Sequence, residues 1–120
     1  MPFTRSRTLA DPTDRSIVAM NVDTPYSYAW LDLRDGPVQL TMPPVPEGRY
    51  MAAQLFDHYT YIVGYVSPRT TGRSGGTYLV VGPDGGEADA AGLPVIHCPT
   101  HLCLVLVRTE LFDDADMVNV

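Results

Sequence analysis

The sequence predicts an all-β domain, an antiparallel sandwich or partly open barrel of short strands, on three observations. Eleven Pro and ten Gly cut 120 residues into short segments. Those segments are apolar or alternating, fall within ordinary strand lengths, and sustain no 3.6-residue period. The connections are short enough for hairpins, whereas a parallel sheet would need helical crossovers.

In chain order the expected strands are Ser16–Met20, Tyr26–Leu33, Val38–Met42, Tyr50–Asp57, Tyr61–Val66, Tyr78–Val81, Val95–His97 and His101–Arg108. Turn chemistry separates them at Arg34–Pro37, Pro43–Gly48, Thr71–Gly76 and Gly82–Gly86, where Gly supplies positive φ and Pro fixes φ. The apolar run Leu102–Val107 has the character of a buried strand. At the tail, Asp113 or Asp114 can cap at most a short helical turn beginning near Ala115. A chain of this length makes one domain, residues 1–120, with enough apolar content for its own core.

Composition excludes some functions. Hydrophobic residues make up 45% and charged residues 18%, which argues against disorder. The formal net charge is −6 and Lys is absent, so no basic surface for nucleic acid is expected. No segment approaches the ~20 apolar residues of a membrane helix, and Met1–Ala10 lacks the apolar stretch of a signal peptide. The chain as written is expected in the cytoplasm. Cys98 and Cys103 are too few for a disulfide framework and are expected as buried free thiols.

The stretch Asn21-Val22-Asp23-Thr24-Pro25-Tyr26-Ser27, followed by Trp30-Leu31-Asp32, resembles the signature of a bacterial family, domain of unknown function 1254. Arg49-Tyr50, Gln54-Leu55, Asp57 with Tyr59-Thr60, Arg69-Thr70-Thr71-Gly72, Tyr78–Pro83, Pro99-Thr100 and Arg108-Thr109 continue the likeness in order. Met20, Pro25, His97 and His101 depart from it. The resemblance implies a β fold, often oligomeric, and a companion β domain (domain of unknown function 1214) following in the longer members. It implies no particular activity.

Several clusters could carry chemistry. In Asn21-x-Asp23-Thr24-x-Tyr26, Asp23 could act as a base and Tyr26 as a donor to an oxyanion. The same residue types also build Asx and ST turns. Asp57 and Tyr59 lie on positions matching the family; beside them, His58 points to the opposite face unless a turn intervenes. Arg49, Arg69 and Arg108 are basic residues at matching positions, and Arg108 ends an apolar strand. Such an Arg either pairs with a carboxylate, for which Asp23, Asp32 or Asp57 would serve, or reaches an anionic ligand.

His97, His101 and Cys103 are metal-ligand types, but their spacing fits no common zinc site, so no metal is expected. No phosphate loop, nucleophile elbow or cofactor motif is present. Tyr26, Tyr28 and Trp30 share one strand face; this is either a contact surface or the core, and the large buried area of aromatics favours the core.

Two functions follow as expectations. The first is a non-catalytic module that binds a small ligand, of unknown identity, or assembles as a homo-oligomer or with a companion β domain. Its candidate binding residues are Asn21, Thr24, Trp30, Arg49, Tyr59 and Arg69. The alternative is an acid–base or hydrolytic enzyme, which requires Asp23, Tyr26, Asp57 and Arg108 to converge in one pocket.

Overall fold

The computed structural model describes residues 2–11, 13–18, 21–85 and 92–120. Its strands are β1 (Thr4–Arg5), β2 (Tyr26–Asp32), β3 (Val38–Met42), β4 (Met51–Phe56), β5 (Ile62–Val66), β6 (Gly76–Val81), β7 (Val95–His97) and β8 (Leu102–Thr109). A 3-10 helix, Asp114–Asn119, follows β8, capped by the Asp113 side chain accepting from the Asp116 N–H. The fold is all-β, as the punctuated sequence predicts.

Two sheets form. One has five strands in the order β1-β2-β8-β4-β5, all antiparallel, and the other three, in the order β3-β6-β7. The apolar strand β8 takes the centre of the larger sheet, pairing with both β2 and β4. This placement follows from physics: a strand apolar on both faces is least costly where neighbours satisfy its backbone on either side. The sheets face each other across Leu31, Ala53, Leu55, Cys103, Val105 and Val107 from one side and Leu40, Met42, Tyr78 and Val80 from the other. Near β5 and β7 they come close, because a Cβ on Gly64 would sit 3.2 Å from the Ile96 side chain.

Two expectations need correction, and one strand was not expected. Ser16–Val18 form bends and a turn, not a strand; the remaining residues of that expected strand, Ala19 and Met20, lie outside the described ones. The Asp14 carboxylate accepts the Ser16 N–H at 2.8 Å, so local side-chain bonding competes successfully with strand pairing there. β7 runs parallel to β6. And the short bridge β1, which has no alternating pattern, pairs with β2 at Thr4↔Tyr28.

Candidate functional site

Alternation along β2 decides which side of the large sheet is interior. Ala29 and Leu31 are buried, so Tyr28 and Trp30 point outward. The aromatic run is therefore not the core, contrary to the expectation from aromatic burial. From β2 the interior receives Ala29 and Leu31, and the strand's alternation puts its larger rings on the other side.

The outer face continues across the sheet in register. Trp30 pairs with Leu104, Leu104 with Phe56, and Phe56 with Ile62. One row further, Tyr28 pairs with Leu106, Leu106 with Gln54, and Gln54 with Tyr65. Tyr28 is 42% exposed, Trp30 41%, Ile62 49% and Tyr65 45%. His58 extends the surface past the strand end, its ring 6.2 Å from Trp30 and 5.8 Å from Tyr59.

Arg108 and Tyr26 occupy the opposite end of this face. They are direct cross-strand partners, and the guanidinium lies 5.6 Å from the Tyr26 ring centroid. Among the described residues no carboxylate lies within ion-pair distance of Arg108, and its buried Nε has no hydrogen-bond partner. A buried donor without a partner costs about 1–3 kcal/mol.

Asp57 serves the opposite end of the sheet. It is buried, and its Oδ1 accepts the backbone N–H groups of Tyr59 (2.9 Å) and Tyr61 (2.8 Å). These bonds fold the β4–β5 hairpin and hold Thr60 at φ 71°, a left-handed conformation that threonine rarely adopts. Arg108 pairs with Ala52, five residues back along β4, roughly 17 Å at the usual strand rise. Asp57 and Arg108 therefore do not meet.

Asn21 closes an Asx turn, its Oδ1 accepting the Asp23 N–H at 2.7 Å and its Nδ2 donating to Thr24 Oγ1 at 2.8 Å. Asp23 is exposed there. Of the four side chains that the enzyme reading needs, Tyr26 and Arg108 thus meet, Asp23 is an exposed turn residue, and Asp57 lies at the other end of the sheet.

The remaining candidates are scattered as well. His101 faces Asp84 through Nε2, an exposed pair. His97 is exposed and Cys103 fully buried. Burial pushes the Cys103 thiol up to about 12, with the neighbouring Cys98 adding to the effect. Both cysteines are free and buried. No group of three or more His, Cys, Asp or Glu gathers for a metal among the described residues.

Arg49 has a carboxylate partner that sequence reasoning missed. Its Nη2 donates to both oxygens of Asp116, at 2.7 and 2.8 Å, and Nη1 to the Glu110 carbonyl at 3.0 Å. Phe112 stacks on the guanidinium at 4.4 Å. The Arg49 guanidinium, with the Phe112 N–H, holds the Asp116 carboxyl down at about 2. Asp32 is likewise held at about 2, by Arg34. Arg69 lies on the exposed turn after β5.

A family model described as "Protein of unknown function (DUF1254)" matches residues 2–120. The chain belongs to this family. Among solved structures, the VPA0106 protein from Vibrio parahaemolyticus is similar, with 30% identity and a TM-score of 0.73. The match covers 83% of this DUF1254 chain and 25% of that one, so this chain spans about a quarter of that relative's length. No curated protein matches. No helix among the described residues is long and apolar enough to cross a membrane.

Proposed function

We propose that this DUF1254 chain is a non-catalytic assembly module, docking a companion domain on the outer face of its five-stranded sheet. The observation that carries this reading is the pair of outward rows, Trp30–Leu104–Phe56–Ile62 and Tyr28–Leu106–Gln54–Tyr65. Contiguous apolar patches of this kind mark interaction sites, and their cores are rich in Tyr, Trp and Phe. The length of VPA0106 supports a covalently attached occupant, since three-quarters of that chain lies outside the match. Arg108, on the same face and without a carboxylate partner among the described residues, suits an apolar occupant that brings a carboxylate to its guanidinium. The acid–base reading has no comparable support, because Asp57 and Arg108 are at opposite ends of the sheet.

Without its companion, the face should pair with a second copy. Size-exclusion with light scattering is expected to show a concentration-dependent dimer. Leu104→Arg, which places a charge at the centre of the face, should give a monomer with unchanged far-ultraviolet circular dichroism. A parent chain that stays monomeric at high concentration would contradict the proposal.

A further inference from the structure

A second surface has a different character. The β3–β4 connection and the turn after β5 bound a cleft of about 400 Å³, lined by Arg49, Tyr50, Pro68, Arg69, Arg73 and Glu110. Three of the chain's eight cationic residues meet there, although the net charge is −6. Arg49 is already engaged by Asp116.

Arg73 is not engaged by a carboxylate, yet it is rigidly placed. Its Nη1 donates to the carbonyls of Pro46 (2.8 Å) and Arg49 (2.9 Å), and its own carbonyl accepts the Val45 N–H at 2.8 Å. The loop lies flat on the end of β3: Gly75 has φ +72°, and a Cβ there would come 2.5 Å from the Met42 carbonyl oxygen. Only glycine fits such a contact. Carbonyl acceptors orient a guanidinium without neutralising it, so the charge remains available.

Arg69 sits on an equally ordered turn. Thr70 Oγ1 donates to the Tyr65 carbonyl at 3.2 Å, and Thr71 Oγ1 to the Ser67 carbonyl at 3.1 Å. Among the described residues no carboxylate pairs with Arg69 or Arg73. Glu110 is held in place by accepting the Tyr50 N–H at 2.7 Å. With Arg49 matched to Asp116, Arg69 and Arg73 stand against Glu110, leaving one net positive charge in the cleft.

We propose that this cleft binds a small organic monocarboxylate. Arg69 and Arg73 hold the carboxylate, and Tyr50 and Pro68 form the wall against its apolar part. The net positive charge draws an anion in, and the wall of Tyr50 and Pro68 favours one with an organic part over inorganic phosphate. The volume falls within the ~300–1,000 Å³ usual for small-ligand sites. Guanidinium forks match a carboxylate in plane, giving direction as well as charge.

The test is nuclear magnetic resonance titration of the full chain with benzoate, inorganic phosphate and benzyl alcohol. Benzoate should give saturable shifts at Tyr50, Arg69 and Arg73, and the other two probes should bind at least about tenfold more weakly. Arg69→Gln should weaken benzoate by about tenfold or more while the remaining spectrum stays folded, because Arg69 makes no described side-chain bond. Benzyl alcohol binding as tightly would make the cleft merely apolar. Phosphate binding more tightly, unsaturable benzoate, or an unaffected Arg69→Gln would each overturn the proposal.

Discussion

The two faces of the five-stranded sheet are both apolar, yet they are built differently. The inner face carries Ala29, Leu31, Ala53, Leu55, Cys103, Val105 and Val107, all buried. The outer face carries Tyr28, Trp30, Phe56, Leu104, Leu106 and Tyr65, half-buried or exposed. The inner side chains interlock with the opposing sheet, whereas the outer rings lie on a surface that the described residues leave partly exposed. Hydrophobicity alone therefore does not locate a core. The packing of the second sheet against one face does, and Leu31 and Leu55 differ from Leu104 and Leu106 only in which face they occupy.

This is also why the sequence misleads at β2. A strand apolar on both faces has no alternation of polarity to orient it, and aromatic burial points the wrong way. Strands β2 to β8 were legible, because Gly, Pro or Asp turn chemistry interrupts the chain near most of their ends, whereas β1 carries no such mark. Less legible was everything set by distant pairing. Arg49 meets Asp116 across 67 positions, and β6 meets β7 in parallel. Arg73 and Glu110, which complete the arginine cleft, carry no local signal beyond their charge. Asp57 was visible as a special residue, but its two backbone acceptor bonds belong to the hairpin.

If the inner face supplies the stability, Leu55→Ala should produce the largest effect. Leu55 is fully buried between the sheets, so truncation leaves a cavity and should cost about 2–5 kcal/mol. That is a large share of the roughly 5–15 kcal/mol typical of a domain. Urea denaturation measures it. A loss under about 1 kcal/mol would break the distinction between the faces, since it would mean that the interior can collapse around the gap.

A sandwich held by apolar packing should respond to pH only where a carboxylate is specifically held, and Asp116 is the sharpest case. Its folded pKa of about 2 lies below the ordinary 3.8, so the ion pair with Arg49 stabilises the fold above the ordinary value. That contribution is lost as pH falls through the folded value. Asp116→Asn should therefore be less stable than the parent at neutral pH. The gap should narrow below pH 3.8 and close near pH 2. Denaturation curves across that range would show it; a gap independent of pH would mean that Asn119 and Phe112, not the charge, hold the tail.

The smallest effect should come from the outer face, where substitution tests docking without disturbing folding. Tyr28 is 42% exposed and lies opposite Leu106, so Tyr28→Thr keeps a β-forming residue while removing the ring. The change in monomer stability should stay under about 1 kcal/mol, the range of a cross-strand pair. Measured below the dimer's dissociation range, this separates the two faces: Leu55 governs folding and Tyr28 governs association. A loss comparable to that of Leu55→Ala would mean that the outer aromatics hold the sheet together themselves. The face would then be a second, shallow core belonging to this chain, and no companion would be needed to account for it.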